Sequence, residues 1–281
     1  VKLFVEIVEE PSAKHEQDIV VIHGGPDWDH TYLRDACLPL AKLGRLIFFD
    51  LRGCGKSCSP KENVDYHMDE LVKDLIALLD HLDIAQAILL GYSYGGRVAL
   101  RASYLQQERV KALVLASSTA YEDFYDELEA SPLYKERMRP SLKQRLNEIK
   151  TSITMTAAQK ARALAIESLP IDVFDLNKLA AIKEVIASVN FSGTWTKLWL
   201  SDELPKVDHP DYGAHLAKKN TPLLVIHGEN DMRFPLSVAQ RLVQTVKFAN
   251  LISLPATGHL VALEEPLRWC EEITRFCQEL P

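Results

Sequence analysis

The chain has 281 residues, of which 47% are hydrophobic and 25% are charged, a composition typical of an ordinary globular protein. Its formal net charge of −7 at pH 7, and the lack of any run rich in lysine and arginine, argue against a nucleic-acid partner. The five cysteines have no paired spacing, and the N-terminus lacks a signal peptide's apolar core, so we expect a cytoplasmic enzyme. No apolar run approaches the roughly 20 residues of a membrane helix, so we expect no membrane partner.

The first 119 residues alternate short apolar runs with helical patterns. An alternating N-terminal strand, Val1–Ile7, precedes a polar turn over Pro11–Gln17. Fully apolar runs then predict strands of a parallel sheet covered on both faces, at Asp18–Ile22, Arg45–Asp50, Gln86–Leu90 and Val110–Ala116. Helical patterns separate these runs at Tyr32–Leu43, at Met68–Leu82 and after Gly95. This order predicts an α/β fold with a doubly wound, mostly parallel sheet and ligands beyond the carboxyl ends of its strands.

The first of these apolar strands ends in His23-Gly24-Gly25-Pro26. A glycine pair directly after a central strand lets backbone amides approach a ligand closely, although a simple strand-to-loop turn has the same composition. Gly25 carries an N–H group and Pro26 does not, so Gly25 is the candidate donor to an oxyanion.

The next strand ends in Asp50-Leu51-Arg52-Gly53-Cys54-Gly55-Lys56-Ser57. Its glycines have the spacing of neither the phosphate-binding loop nor the dinucleotide fingerprint. We therefore expect the aspartate, the arginine and Ser57 to hydrogen-bond within a loop that braces the edge of the sheet. Cys54 and Cys58 lack companion ligands at zinc spacing, so we expect no metal, and no cofactor motif is present.

Gly91-Tyr92-Ser93-Tyr94-Gly95 follows the third apolar strand and precedes a helical pattern. In a G-x-S-x-G turn between strand and helix, the serine backbone is strained, and side chains two residues to either side would collide with the neighbouring strand and helix. The turn lifts the serine hydroxyl above the sheet, in front of a helix N-terminus. The stretch therefore predicts Ser93 as a nucleophile and the N–H of Tyr94 as a second oxyanion donor.

Residues 120–205 have no strand pattern, and we interpret them as a helical cap inserted into a core of residues 1–119 and 206–281. Helices are predicted at Tyr121–Leu128, Leu142–Lys150, Ala157–Ile166 and Leu176–Val189, with breaks at Pro132, Pro140 and Pro170. A cap would exclude water from the site and shape its pocket. Aromatic residues cluster at its ends, and we expect most of them to pack inside the cap rather than contact substrate: Tyr121, Phe124, Tyr125, Phe191, Trp195 and Trp199.

The sheet resumes after the cap. Strands are predicted at Thr221–Gly228 and Asn250–Pro255, and helices at Leu236–Val246 and Pro266–Leu280. The apolar face of the last helix includes Cys270 and Cys277, which we expect to be packing residues rather than reactive thiols.

A serine hydroxyl needs a base that takes its proton, and the base needs an acid that orients it. Ser93, Asp231 and His259 follow three strand ends in the chain order expected for such a site. Of nine histidines, His259 is the only one after Asp231. Glu229 is an alternative acid, but Asp231 is favoured because it stands in a short loop directly before a helix.

The other histidines are given other roles. His23 borders the oxyanion loop, and we expect its ring to be structural. His227 lies in a strand end and fits a hydrogen-bonded core histidine. Six more fit exposed or helical settings: His15, His30, His67, His81, His209 and His215.

Together these motifs resemble the α/β-hydrolase family over nearly the whole chain. The His-Gly-Gly-Pro loop and the loop over residues 50–57 resemble its proline iminopeptidase branch. The resemblance implies the α/β-hydrolase fold, the Ser93, Asp231 and His259 triad, and release of N-terminal residues from peptides.

The resemblance also implies cap carboxylates around a substrate ammonium. Asp202 and Glu203, near the end of the cap, are candidates for that role, although a solvated surface is the favoured interpretation. The chain departs from the branch in its elbow, where Tyr92 and Tyr94 replace glycine and tryptophan, and at Asp27, where a further glycine is common.

The sequence thus predicts acyl transfer to water through an acyl-enzyme on Ser93, on a small ester, an amide or an N-terminal peptide. His259 would act as base and then as acid, with Asp231 orienting it. A proline iminopeptidase-like activity and a carboxylesterase or lactonase activity are the leading alternatives. Cleavage of a carbon–carbon bond, and a ligand receptor that retains the triad, are less favoured. The expected partner is a small molecule or a short peptide.

Overall fold

The computed structural model describes residues 1–10 and 17–280. Its strands are β1 (Val5–Val8), β2 (Gln17–Ile22), β3 (Gly44–Phe49), β4 (Ala87–Tyr92), β5 (Val110–Ala116), β6 (Leu223–Gly228) and β7 (Ala249–Leu254). They form one sheet in the order β1-β3-β2-β4-β5-β6-β7, in which β1 is antiparallel to β3 and every other pair is parallel. The mostly parallel sheet is confirmed. Most of the predicted polar turn, residues 11–16, lies outside the described residues.

Helices cover both faces of this sheet. One face is packed by α1 (Thr31–Cys37), α13 (Val261–Glu264) and α14 (Pro266–Gln278), and the other by α2 (Met68–His81), α3 (Tyr94–Leu105), α11 (Tyr212–Lys219) and α12 (Leu236–Thr245). Alternate residues of one strand reach opposite layers: Ile19 and Val21 pack on the first face, Val20 and Ile22 on the second. Each such buried side chain stabilises the fold by about 1.5–3 kcal/mol. The doubly wound arrangement predicted from the apolar runs is confirmed.

The chain between β5 and β6 is helical. Its first seven helices are α4 (Tyr125–Ala130), α5 (Pro132–Arg137), α6 (Pro140–Thr151), α7 (Ala157–Glu167), α8 (Leu169–Asp172), α9 (Leu179–Ala187) and α10 (Thr194–Leu200). We call this stretch, residues 125–200, the helical segment. The predicted break prolines are instead helix starts, because Pro132, Pro140 and Pro170 occupy the first or second helical position, where a fixed φ and a missing N–H group are tolerated.

Several predicted boundaries were wrong. The predicted helix over Tyr32–Leu43 is divided, because Pro39 lies where the α-helix gives way to a 3₁₀ helix over Leu38–Leu43. The first helix predicted after β5 begins at Tyr125 rather than Tyr121. Five helices were not predicted: α5, α8, α10, α11 and α13. In the described part of the chain, the longest helix has 14 residues, and none combines the length and apolar character needed to cross a bilayer.

Cys270 and Cys277 lie in the interior on α14, with 8% and 0% of their surface exposed. Burial raises the pKa of Cys270 to about 11 and that of Cys277 to about 12, so both stay protonated at neutral pH. Their predicted packing role is confirmed.

The strand order contains a switch point beside β2. The chain runs from β2 outward to β3 and then returns to β4 on the other side of β2. Loops that leave the carboxyl ends of β2 and β4 therefore diverge, and open parallel sheets bind ligands in the crevice between such loops. The two loops are His23-Gly24-Gly25-Pro26 and the turn at Ser93.

Candidate active site

Ser93 stands between β4 and α3 with φ +51° and ψ −115°, a conformation that L-residues rarely adopt. Close backbone approach around it requires glycine. A Cβ atom at Gly91 would lie 2.5 Å from the Cα of Gly96, and one at Gly95 would lie 2.1 Å from the carbonyl oxygen of Ile22. The two glycines of the motif are therefore needed because the serine turn is wedged between the helix behind it and the neighbouring strand.

Replacing Gly95 with alanine is expected to lower the free energy of unfolding by at least about 2 kcal/mol, because the new methyl group meets backbone that cannot move aside. The matched control is Gly213→Ala in α11, where the nearest atom to the new methyl group is the Cγ2 of Thr245 at 3.2 Å. Helix propensity favours alanine there by about 1 kcal/mol. Urea unfolding of both variants checks this, and equal stabilities would contradict it.

Ser93, His259 and Asp231 come together at the carboxyl edge of the sheet. The Nε2 atom of His259 lies 3.0 Å from the Oγ of Ser93, and its Nδ1–H donates to the Oδ2 of Asp231 at 2.9 Å. The side chain of His259 is 9% exposed and that of Asp231 is not exposed at all. This geometry permits one imidazole to exchange a proton with the serine while the carboxylate holds its tautomer.

Asp231 is held as a carboxylate in a closed environment. Burial alone would raise its pKa, but the adjacent rings of His259 and His227 and the backbone N–H of Phe234 together outweigh burial and keep the pKa below its usual value. The Oδ1 atom accepts the N–H groups of Arg233 at 2.7 Å and Phe234 at 3.0 Å. The alternative acid, Glu229, is exposed and accepts a hydrogen bond from Ser253 instead. Of the two carboxylates, only Asp231 contacts the imidazole.

The loop that carries His259 is anchored by residues that the sequence analysis missed. The backbone N–H of His259 donates to the carbonyl oxygen of Asp172 in α8 at 2.7 Å, and the hydroxyl of Tyr92 donates to the carbonyl oxygen of His259 at 2.5 Å. The buried carboxylate of Glu264 accepts the N–H groups of Gly258 at 2.7 Å and Phe174 at 2.9 Å. No spacing rule marks Asp172 or Glu264, because the contacts Asp172–His259 and Glu264–Phe174 join residues that are distant in the chain.

The predicted oxyanion donors both border the crevice. Gly25 has φ +121°, which favours glycine, and lines the same cavity as Ser93 and Tyr94. Tyr94 is the first residue of α3, so its N–H group has no acceptor within the helix. His23 is structural in its contacts: Nδ1–H donates to the carbonyl of Gly24, Nε2 accepts the N–H of Leu51, and burial lowers its pKa.

His227 also has the expected core setting. Its Nε2 lies 2.8 Å from the carbonyl oxygen of Phe234 and 3.4 Å from the Oδ2 of Asp231. Burial lowers the pKa of His227, so the ring is neutral beside the carboxylate. It is completely buried and does not contact Ser93.

Asp27, the departure noted in the oxyanion loop, joins that loop to the helical segment. It is 1% exposed, has φ +73°, and its carboxylate accepts the N–H groups of Trp195 at 3.2 Å and Thr196 at 2.5 Å. The hydroxyl of Ser192 donates to the same carboxylate at 2.7 Å. A glycine could make none of these side-chain contacts, so the exchange ties the oxyanion loop to the start of α10.

In the loop after β3, Asp50 and Ser57 hydrogen-bond within the loop as predicted, whereas Arg52 binds α2 outside it. Arg52 binds the carboxylate of Asp74 through two nitrogens at 2.7 and 2.8 Å, and Ser57 donates to the carbonyl of Asp50 at 2.5 Å. The expected exposed or helical setting of His30 was wrong. Its ring is 2% exposed and lies 2.7 Å from the carboxylate of Asp50, whose hydrogen bond and charge outweigh the opposing effect of burial and raise the pKa of His30.

A cavity of about 600 Å³ lies between Ser93 and the helical segment. Five of the six clustered aromatic residues line this cavity: Phe124, Tyr125, Phe191, Trp195 and Trp199. Three of these, Phe124, Phe191 and Trp195, are also buried, and the expectation that most of the six pack rather than contact substrate stays a prediction. Tyr125 lies in α4, Trp195 and Trp199 lie in α10, and Phe124 and Phe191 lie in the connections just before these helices, so a helical pattern by itself cannot place them. Asp202 and Glu203 are exposed and do not line the cavity.

Comparison with known proteins agrees with this fold. A family model described as alpha/beta hydrolase fold matches residues 19–266. The chain is 27% identical to the AB hydrolase superfamily protein YisY of Bacillus subtilis (strain 168), covering 98% of this chain and 95% of that protein. It is 24% identical to a proline iminopeptidase of Saccharolobus solfataricus, covering 94% and 86% respectively.

Among solved structures, a thermophilic esterase from Thermogutta terrifontis superimposes with a TM-score of 0.72 at 22% identity, covering 99% of this chain and 93% of that one. Similarity at this level shows a shared fold. The seven-stranded sheet, its switch point and the matched family model lead to one conclusion. The chain belongs to the alpha/beta hydrolase family, and it is a hydrolase.

Proposed function

We propose that the protein is a serine hydrolase that cleaves small esters through an acyl-enzyme on Ser93. The observation that carries the proposal is the unbroken hydrogen-bond chain from the Oγ of Ser93 to His259 at 3.0 Å and from His259 to Asp231 at 2.9 Å. The Ser93 end of this chain lies at an aromatic cavity, where a small apolar acyl or alcohol group of the substrate would be removed from water.

In the proposed reaction, His259 takes the proton of Ser93 as the serine oxygen attacks the substrate carbonyl. Asp231 keeps the Nδ1–H tautomer and stabilises the imidazolium that forms. The N–H groups of Gly25 and Tyr94 would receive the negative charge on the carbonyl oxygen, and each such donor typically stabilises the transition state by about 3 kcal/mol. His259 then protonates the leaving group, and water attacks the acyl-enzyme with the same residue as base. No cofactor takes part in these steps.

We also propose that residues 120–205 act as a cap over a core made of residues 1–119 and 206–281. Two contacts support a functional connection: the carboxylate of Asp27 holds the start of α10, and the carbonyl of Asp172 holds the backbone of His259. The cap thereby contacts both the oxyanion loop and the base. A cytoplasmic location, inferred from the unpaired thiols, belongs to the same proposal.

A proline iminopeptidase-like activity is the second candidate. Its support is the similarity to the Saccharolobus solfataricus enzyme and the position of Glu129, a carboxylate that lines the cavity and could receive an ammonium group. Esters are favoured because the other cavity carboxylates are engaged by protein groups. Asp27 binds backbone N–H groups, and Asp172 binds the guanidinium of Arg233.

Side-by-side turnover on one preparation tests the choice. We expect 4-nitrophenyl acetate and butyrate to be hydrolysed with kcat/KM at least tenfold above that for prolyl-2-naphthylamide. A lactone series and a diketone substrate extend the panel to lactonase and carbon–carbon bond cleavage. The reverse ranking of ester and prolyl amide would favour the peptidase, and single turnover with retained product would favour a receptor.

A further inference from the structure

Arg233 is a charged side chain of the cavity that the proposed reaction does not use. It lies two residues after Asp231, and its backbone N–H donates to the Oδ1 of Asp231 at 2.7 Å. Its guanidinium binds Asp172, with Nε at 2.6 Å from Oδ1 and Nη2 at 3.1 Å from Oδ2. Asp172 in turn accepts the N–H of His259 through its carbonyl. The backbone of Arg233 is therefore held by Asp231, and its guanidinium is held by Asp172.

The pairing with Asp172 uses only one edge of the guanidinium. A guanidinium presents five N–H donors in a planar fork, and Asp172 occupies the edge formed by Nε and Nη2. The other edge, formed by Nη1 and the second hydrogen of Nη2, has no acceptor among the described residues. The side chain is 38% exposed and lines the cavity, whereas that of Asp172 is 6% exposed. The open edge of Arg233 is thus available to a ligand, whereas the carboxylate of Asp172 is not.

The surroundings favour an anionic oxygen pair at this edge. The nearby lining is apolar and aromatic, including Leu128, Tyr134 and Phe234, so a donor edge in that setting gains from a charge-assisted partner. A planar carboxylate matches the two parallel N–H groups of the open edge. The cavity lining also contains the carboxylate of Glu129. Lys150 adds a second positive charge to the lining, with its Nζ above the ring of Trp199.

We propose that Arg233 binds a carboxylate of the substrate, so that the enzyme prefers esters that carry a carboxylate near the scissile bond. This inference rests on the proposed ester hydrolysis at Ser93. The bidentate contact orients the substrate through a group remote from the reacting carbonyl. Arg233 is then a specificity-determining residue. Asp172 is a positioning residue, because it fixes the orientation of the guanidinium of Arg233.

Matched ester pairs test the proposal. One pair carries the charge in the acyl group, mono-4-nitrophenyl glutarate against 4-nitrophenyl pentanoate, and the other in the leaving group, 4-acetoxybenzoate against phenyl acetate. We expect the wild type to prefer the anionic member in at least one pair. Because removal of Arg233 alone strands a buried carboxylate, the variant is the double replacement Arg233→Gln with Asp172→Asn. It should lose about 10- to 100-fold in kcat/KM for the preferred anionic ester and less than about threefold for its neutral partner.

The control is the double replacement Arg241→Gln with Asp123→Asn. It removes an exposed ion pair away from the cavity, in which Nη1 of Arg241 contacts both carboxylate oxygens, and it should change the rate for neither ester. Calorimetric titration with glutarate gives a readout independent of turnover: the wild type should bind it, and the Arg233 and Asp172 double variant should bind it at least tenfold more weakly. If the wild type hydrolyses no ester, the proposed function fails. Two results would overturn this inference and leave the Arg233–Asp172 ion pair a purely structural role. One is that the wild type hydrolyses neutral esters but the double variant loses activity equally for the anionic and the neutral ester of each pair. The other is that glutarate binds the wild type and the double variant with equal affinity.

Discussion

Replacing Ser93 with alanine is expected to lower kcat/KM for 4-nitrophenyl butyrate by about 10⁴- to 10⁶-fold, because without the hydroxyl the proton relay has no nucleophile to activate. The residual rate would come from the oxyanion donors and from binding alone. Stopped or continuous release of 4-nitrophenolate measures the loss. A fluorophosphonate probe should modify the wild type on the peptide that contains Ser93 and leave the variant unmodified.

Stability provides the control for that result. Alanine differs from serine only by the loss of one oxygen atom, so the volume of the side chain changes little. The backbone of Ser93 keeps its hydrogen bonds in the variant: its N–H donates to the carbonyl of Ala116, and its carbonyl accepts from the hydroxyl of Ser118. We therefore expect the free energy of unfolding to change by less than about 1 kcal/mol. A variant that stays folded and keeps full esterase and peptidase turnover would falsify the proposed mechanism.

Replacing Asp231 with asparagine is expected to lower kcat by about 10⁴-fold while KM changes little. Its Oδ1 accepts two backbone N–H groups and its Oδ2 accepts the Nδ1–H of His259. An asparagine that keeps its oxygen toward the backbone turns its NH₂ group toward the imidazole. The ring must then accept at Nδ1 and carry its proton on Nε2, where it can no longer take the proton of Ser93. Steady-state kinetics with a neutral ester measures the loss.

Glu229→Gln is the matched control for the acid. It removes one negative charge from the same loop, but Glu229 is exposed and its hydrogen-bond partner is Ser253 rather than His259. We expect kcat within about twofold of the wild type, since an exposed charge in high dielectric has little influence on a buried imidazole. A larger loss in Glu229→Gln than in Asp231→Asn would reverse the assignment of the acid.

Local patterns were sufficient to predict the sheet and the nucleophile turn. Four apolar runs had no polar alternation, which is the pattern of strands buried on both faces, and each became a strand of the parallel sheet. The G-x-S-x-G turn could be interpreted because the reason for its glycines is short-range: Gly91 and Gly95 are pressed against backbone that the neighbouring elements must place there. Both properties depend on residue type at fixed spacing.

Helix boundaries between β5 and β6 were harder to predict. Prolines look like breaks in a sequence, yet Pro132 and Pro140 begin α5 and α6, since the first turn of a helix does not need their N–H groups. The side chains that line the cavity could not be identified from the sequence either. Trp195 and Phe191 lie at the joint between the helical segment and the sheet edge, so their surroundings depend on how the segment folds back.

The sequence by itself determined the layered sheet, the strained serine turn and the order of Ser93, Asp231 and His259 along the chain, because these depend on local periodicity and on loops that leave successive strand ends. Only the tertiary structure decided which carboxylate contacts His259, that the carboxylate of Asp27 binds the backbone at the start of α10, and that the guanidinium of Arg233 binds the carboxylate of Asp172. Those contacts join residues 28 to 169 positions apart in the chain. No spacing rule reaches that far, because the three-dimensional path of the helical segment sets each distance.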